Sequence, residues 1–382
     1  MNKIECTVGD VTDNFDNLRV PLSANERKSL ARKFPYYGAQ NIIDYVDNYL
    51  FDGEYILVAE DGENLNSQRS NVCNLVNGKF WVNNHAHIIK ANNGFNTKYI
   101  YYYLNLLNFK PFVTGSAQPK LTKDNLSSIP LRIHAKADQI RIACFLHRLD
   151  QKIELNNKIN AELEAMAKLI YDYWFVQFDF PDANGKPYKS SGGKMVYNEI
   201  LKREIPEGWG NTTLGEIADL YQPQTISEKQ MNPDGAYLVY GANGVIGRYG
   251  EYNHDECVVT ITCRGNSCGT INTTRPYSWI TGNAMVVNPR LRRMGIDYIL
   301  NSLSWGGVSS VITGSAQPQI TRSNLSPLKL LAPDPKIIED YFEQANPNHT
   351  RRIKSEEENE KLLALRDWLL PMLMNGQVTV NS

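Results

Sequence analysis

The 382-residue chain has no surplus of charge of either sign: 40 Lys and Arg face 41 Asp and Glu, a formal net charge of −1 at pH 7. A polyanion is not drawn to the molecule as a whole, so any nucleic-acid surface must be local. Paired cysteine spacing is missing too. Cys6, Cys73, Cys144, Cys257, Cys263 and Cys268 contain no C-x-x-C, which excludes a disulfide framework and reads as reduced thiols in a cytoplasmic protein. No apolar run approaches the roughly 20 residues that cross a bilayer, and Met1-Asn2-Lys3-Ile4-Glu5 opens without an apolar signal segment. There is no G-x-x-x-x-G-K-[ST] phosphate loop, no H-E-x-x-H and no Asn/Asp-Pro-Pro-aromatic tetrapeptide. Catalysis within this chain is not expected.

What the chain does have is a repeat. Thr114-Gly115-Ser116-Ala117-Gln118-Pro119-Lys120-Leu121-Thr122-Lys123-Asp124-Asn125-Leu126-Ser127 returns 199 positions later as Thr313-Gly314-Ser315-Ala316-Gln317-Pro318-Gln319-Ile320-Thr321-Arg322-Ser323-Asn324-Leu325-Ser326, with ten of fourteen positions identical. Val8-Gly9-Asp10-Val11 matches Leu214-Gly215-Glu216-Ile217, and Tyr36-Tyr37-Gly38-Ala39 matches Val239-Tyr240-Gly241-Ala242, so a whole domain is duplicated. Runs such as Tyr55–Ala59 and Cys257–Ile261 are rich in β-branched residues and end in the turns Asp61-Gly62 and Arg264-Gly265, which predicts strands. Helices are expected over 97–107 and 295–303. The fold class is therefore α+β: two similar α/β domains over 1–135 and 206–333, separated by two long helices over 136–178 and 334–376, with a linker over 179–205 and a tail over 377–382.

Along the first helix, Ile142, Leu146, Leu149, Ile153, Asn156, Asn160, Leu163, Ala167, Ile170 and Trp174 alternate four and three apart, a coiled-coil seam. A helix of about 40 residues is roughly 60 Å long at 1.5 Å per residue, which reads as a spacer. Asn156 and Asn160 either fix register through a polar partner or mark a solvated stretch. The second helix starts with Asp334 as N-cap and Pro335 at its first position. Asn346-Pro347-Asn348 is expected to break or kink it, and Pro371 to disturb its last turns before Gly376 ends it. Leu362, Leu365, Leu369 and Met372 form its apolar stripe, and Ser355-Glu356-Glu357-Glu358 a solvated face. Two such helices bury their stripes most simply against each other. Run antiparallel, they place the domains at opposite ends of a rod with pseudo-two-fold symmetry. Asp179 to Gly193 reads as an irregular linker.

Groups suited to base edges and phosphates fall in segments read as loops: Arg19, Tyr36, Tyr37, Arg69, Asn83, Asn84 and His85 in the first domain, and Tyr240, Asn243, Arg264, Asn266 and Asn283 in the second. Lys120 of the repeat joins this DNA-binding set. Gln118 and Gln317 either satisfy backbone groups or contact DNA, while Gly115/Gly314 and Pro119/Pro318 predict a fixed turn. Arg290, Arg292 and Arg293 read as solvated. His254, Cys257, Cys263 and Cys268 lack zinc spacing and read as ordinary side chains.

The doubled T-G-S-A-Q-P, each followed by an apolar run and a long helix, resembles the specificity (S) subunit of type I restriction–modification systems. So do Phe180-Pro181 through Gly192-Gly193 and Leu365-Arg366-Asp367-Trp368-Leu369-Leu370-Pro371 with Met374-Asn375-Gly376. The resemblance covers essentially the entire chain. It implies a non-catalytic reader of double-stranded DNA whose two target-recognition domains each read half of a split, asymmetric sequence. It also implies partners: two methyltransferase subunits carrying S-adenosylmethionine, and restriction subunits using ATP and Mg. The first copy departs from the pattern by having almost no leader before Gly9 and no counterpart of Trp209, which predicts a less anchored first strand. A scaffold binding protein or glycan is the competing reading.

Overall fold

The structure is a computed structural model and describes residues 3–28, 30–67, 71–115, 119–314 and 316–380. Two compact units divide the chain: Met1–Leu155 with Asn359–Ser382, and Asn156–Glu358. Among the described residues, no helix is long and apolar enough to cross a membrane.

In the first unit the β-branched and aromatic runs form strands. Lys3–Thr7 lies antiparallel to Pro130–His134 over five residue pairs. The first strand is thus fully paired, against the weaker anchoring expected of it, because its partner is the apolar run after the repeated motif. Thr12–Asn14, Ala86–Ala91, Tyr55–Ala59 and Cys73–Val76 make one antiparallel sheet in that order. Ile42–Val46, Phe34–Tyr37, Lys79–Val82 and Phe51–Asp52 make another, in which Phe34–Tyr37 and Lys79–Val82 are parallel. Helix α1 (Thr97–Leu106) is capped by Asn96, which accepts from the Tyr99 N–H. Tyr99, Ile100 and Leu104 share a core with Ile56, Val58 and Ile89. The chain then enters α2 (Lys136–Tyr171).

The second unit repeats this topology. Gly210–Thr213 pairs with Lys329–Ala332. Ala218–Tyr221, Ala284–Pro289, Val259–Thr262 and Ile271–Thr273 form the antiparallel sheet. Gly244–Tyr249, Tyr237–Gly241 and Ser278–Ile280 form the mixed one, again with one parallel pair. Helix α3 (Gly295–Gly306) takes the place of α1, and α4 (Pro335–Asn375) follows. In both copies the short turn after the first strand is closed by a capping box, Thr7 with Asp10 and Thr213 with Glu216. The glycine at the second position of each turn lets the motif serine pack close against it. A Cβ on Gly9 would meet the Ser127 Cβ and carbonyl oxygen at 3.2 Å, and one on Gly215 would sit closer still to Ser326. These serines end the repeated motif, so the turn and the motif are packed as one piece.

Each core also takes residues from both long helices. In the first unit Ile142 and Leu146 of α2 join Leu370, Leu373 and Met374 of α4, and Arg366 donates to Asp150 at 2.9 Å. Leu149 and Ile153 are half-buried on the same seam. In the second unit the buried Asn156 donates to Glu358 at 2.8 Å. Arg352 donates to Glu164 at 2.7 Å, and Tyr171 and Trp174 pack on Tyr341. Partner numbers on α4 fall as those on α2 rise, so within that unit the helices run antiparallel. Asn156 is therefore a paired seam amide. Leu163 is buried, Ile170 and Asn160 are half-buried, and Asn160 Oδ1 is a buried acceptor with no hydrogen-bond partner.

Four expectations change. The helix α4 is not broken at Pro347 or Pro371; a proline removes its own N–H bond and crowds the carbonyl four residues back, but buried Tyr341 and Ala345 before Pro347 and the Arg352 bonds after it hold the helix on both sides. Its stripe runs through Leu362, Arg366, Leu369 and Leu373, whereas Leu365 is 40% exposed. The acidic run is not simply solvated, because Glu356 accepts from Arg275 at 3.0 Å and Glu358 from Asn156. The linker over 179–205 leads into a hairpin, Met195–Asn198 paired with Arg203–Pro206, while Asp179 to Gly193 is irregular as expected and is held by Phe180, which stacks on Tyr188 and Trp209 with centroids 4.8 and 4.7 Å away. The start and end of α4 follow the sequence, with Asp334 Oδ1 accepting from the Lys336 N–H at 2.8 Å and Gly376 at φ +75° beyond the last turn. The first long helix ends in a π-helical turn, Asp172–Val176.

Candidate nucleic-acid interface

The repeated motif has two halves with separate tasks. Its first half is a loop closed on itself. Thr114 and Lys120 exchange both backbone hydrogen bonds at 2.8 Å, and Thr313 and Gln319 do the same at 2.9 and 2.8 Å. Gly115 and Gly314 sit at φ +84° and +86°, a region that strains any residue with a Cβ. A Cβ on Gly314 would lie 2.5 Å from the Gln317 carbonyl oxygen. The second half is an anchor. Leu121 and Ile320 are buried, and Thr122 and Thr321 cap the next short helix by accepting from the Asn125 and Asn324 N–H groups, both at 3.2 Å.

Main-chain bonds then attach each loop to the ends of neighbouring strands, in the same register twice. The Leu121 N–H donates to Glu60 O at 2.8 Å and the Ile320 N–H to Cys263 O at 2.9 Å. The Glu60 N–H donates to His85 O at 3.0 Å and the Cys263 N–H to Asn283 O at 3.2 Å. The Asn83 N–H reaches Tyr37 O at 3.0 Å, as the Thr281 N–H reaches Tyr240 O at 2.9 Å. Bridges pair Asp61 with Lys120 and Arg264 with Gln319. One backbone frame therefore carries Asp61, His85 and Lys120 in the first domain and Arg264, Asn283 and Gln319 in the second.

The side chains proposed from sequence separate into braces and exposed groups. Arg19 is a brace: its guanidinium donates to Glu60 at 2.8 Å, Ala86 O at 2.9 Å and Asp16 O at 3.1 Å. Glu60 also holds Lys120 Nζ at 3.2 Å. Burial pushes the Glu60 carboxyl up, but the bonds from Arg19 and Lys120 outweigh it and leave it below the ordinary range. Tyr36 lies in the core with its hydroxyl accepting from the Leu22 N–H at 2.9 Å, and Tyr37 is half-buried, edge-on to Phe80. Tyr240 is buried and accepts from the Arg275 N–H at 3.1 Å. Asn83 is buried and takes the His85 N–H at 2.8 Å.

Asn84, His85, Lys120, Asn243, Arg264, Asn266, Asn283 and Gln317 are exposed on the loops. His85 Nδ1 lies 2.6 Å from Asp61, and Asn243 Oδ1 accepts from Thr262 at 3.1 Å. Arg69 and Gln118 lie outside the described residues. Reading the sequence alone misses Asp61 and Gln319 as surface groups. The signal for them is present, since both Asp61-Gly62 and Arg264-Gly265 end a strand and Gln319 aligns with Lys120.

Away from the loops, Arg290, Arg292 and Arg293 each reach a carboxylate at the surface, of Asp219, Glu256 and Glu339. His254 is held by the Tyr221 hydroxyl at 2.8 Å and Asn253 at 2.6 Å, while Cys268 donates to Cys263 O. Among the described residues no three His, Cys, Asp or Glu side chains gather to hold a metal ion. Gly265-Asn266-Ser267-Cys268-Gly269 has the spelling G-x-S-x-G. It forms a turn with the Cys268 N–H on Gly265 O at 2.9 Å and leads to a strand, so the strand–turn–helix setting of a nucleophile elbow is lacking.

The family model of the type I restriction modification DNA specificity domain matches residues 5–165 and again 206–345. A Haemophilus influenzae protein named as the type I restriction enzyme specificity subunit S.HindORF215P is 39% identical over 144 residues, which are 37% of this chain and 35% of that protein; the match therefore covers well under half of that relative. The MjaIX type I restriction enzyme specificity subunit of Methanocaldococcus jannaschii is 22% identical over 312 residues, 75% of this chain and 70% of its own. The crystal structure of the type I restriction-modification system S subunit from M. genitalium has a TM-score of 0.62 at 16% identity, covering 98% of this chain and 96% of that one. That likeness is one of fold. With the matched domain occurring twice, on two units of one repeated topology, the chain belongs to the family of type I restriction modification DNA specificity proteins.

Proposed function

We propose that this chain is the DNA-reading subunit of a type I restriction–modification complex. Each recognition domain reads one half of a bipartite, asymmetric target. The long helices set the distance between the halves and, with the domains, dock two methyltransferase subunits, which restriction subunits join. S-adenosylmethionine belongs to the methyltransferase subunits, and ATP and Mg to the restriction subunits.

One observation carries the reading. The same main-chain frame occurs twice around the closed motif loop and displays unlike polar side chains, Asp61, His85 and Lys120 in one domain and Arg264, Asn283 and Gln319 in the other. Unlike half-sites need a common platform with different hydrogen-bonding groups, because phosphate contacts position the protein while base-edge contacts carry sequence. The competing scaffold reading rests on the near-neutral charge alone.

Mapping methylated adenines in cells with and without the chain tests the proposal. Exchange of residues 1–135 for another recognition domain is expected to change one half of the target only, and helical turns inserted near Asn156 to change the spacer. An unchanged methylation pattern refutes it. Affinity of the complex for its cognate duplex should fall steeply with salt through counterion release; a flat response moves the balance to the scaffold.

A further inference from the structure

We infer that the register-equivalent residues Asp61 and Arg264, with their neighbours His85 and Asn283, are where the two half-sites are made different, Arg264 selecting a guanine and Asp61 a cytosine. This rests on the DNA-reading proposal above and deepens it. Both residues occupy one point of the duplicated fold: each follows the residue whose carbonyl takes the Leu121 or Ile320 N–H, and each bridges to the residue after the motif proline, Lys120 or Gln319. His85 and Asn283 are matched in the same way, through the N–H groups of Glu60 and Cys263.

The frame is made entirely of main-chain bonds. Its side chains are therefore free to differ, and they differ in kind. Arg264 is exposed, and its guanidinium makes no hydrogen bond or ion pair among the described residues. Its five N–H donors are available to the O6 and N7 acceptors of guanine, the bidentate pairing that arginine makes best. Asn266 and Asn283 stand exposed beside it on the same turn and the adjoining strand end.

At the matching point, Asp61 offers only acceptors. Its side chain is 40% exposed and His85 Nδ1 lies 2.6 Å from one oxygen, which orients the carboxylate and leaves the other oxygen available. A carboxylate repels phosphate, so its partner in a duplex is a base amino group, and the cytosine N4 amino is the one that acidic side chains accept from. The neighbouring cation, Lys120, is already drawn to Glu60. In the second domain Glu60 is replaced by Cys263 and Lys120 by the neutral Gln319. One domain thus presents an acceptor where the other presents a donor.

The test is methylation mapping in cells carrying the full complex with wild-type chain, Arg264→Gln, Arg264→Lys or Asp61→Asn. Arg264→Gln and Arg264→Lys should each relax one position of one half-site by about 5- to 150-fold in the ratio of correct to substituted targets, leaving the other half unchanged. Asp61→Asn should relax one position in the opposite half. Unchanged amide exchange over 313–319 or 114–120 shows that the loops still fold. If wild-type chain directs bipartite methylation but the Arg264 variants leave both halves intact, or weaken every target equally as loss of a phosphate contact would, the inference is overturned while the DNA-reading proposal stands. If wild-type chain directs no methylation, both fall.

Discussion

Replacing Gly314 by alanine isolates the closed motif loop of the second domain. The backbone there is left-handed at φ +86°, which costs a residue with a Cβ about 1–2 kcal/mol. The new methyl carbon would also lie 2.5 Å from the Gln317 carbonyl oxygen, so the chain must shift. The penalty has a ceiling, because the loop can open. Opening gives up the two Thr313–Gln319 backbone bonds, worth about 0.5–1.5 kcal/mol each, while Ile320 stays buried as the anchor. The expected loss is therefore about 2 kcal/mol of local stability, near a 30-fold fall in protection. Hydrogen exchange read by mass spectrometry over 313–319 should show it, with the corresponding loop of the first domain, 114–120, unaltered as an internal control. Unchanged exchange at 313–319, or equal loosening of both loops, would refute the claim that each glycine closes its own loop.

Three further outcomes follow from the packing. Pro347→Ala should stabilise the second unit by about 1–3 kcal/mol in urea unfolding, because a continuous α4 gains a helical N–H bond where proline has none; no gain would mean that the helix is interrupted there after all. A double-mutant cycle on Asp150 and Arg366, each about one quarter exposed and 2.9 Å apart, should give a coupling of about 1 kcal/mol, and zero coupling would reduce the pair to surface neighbours. Asp16 supplies a pH dependence. Burial raises its carboxyl, but the bonds from His87 and the Ile88 N–H outweigh this and hold it below the ordinary range. Its contribution is therefore present above the unfolded value and lost as pH falls through the folded one, so Asp16→Asn should flatten the acid side of the stability profile, and an unaltered slope counts against the assignment.

The duplication is legible because its residues do local, chemically specific work. Gly115 and Gly314 answer a positive φ, Thr122 and Thr321 cap a helix, and Leu121 and Ile320 fill the core. The seam of α2 and its π-helical end is legible for a related reason, since Ile142, Leu146, Asn156, Leu163 and Trp174 are all buried. On α4 the same periodicity picks Leu365, which is exposed, over Arg366, which holds Asp150; a hydrophobic pattern passes over a guanidinium even where it occupies the seam. Tyr36, Tyr240 and Arg19 read as contact residues from sequence because loops hold polar groups, yet their polar atoms are used by the protein's own backbone and carboxylates. Only the register of distant strands separates such braces from free groups.

The core of the first unit has a consequence for how the protein is made. It is built from residues before position 147 together with Leu370, Leu373 and Met374, and Lys3 Nζ donates to the Met374 carbonyl at 2.8 Å. On a ribosome the amino-terminal domain emerges first, yet these side chains are synthesised more than two hundred residues later. The second unit, continuous from Asn156 to Glu358, can finish its interior before the first can, so the order in which the two halves mature is the reverse of the order in which they begin to appear.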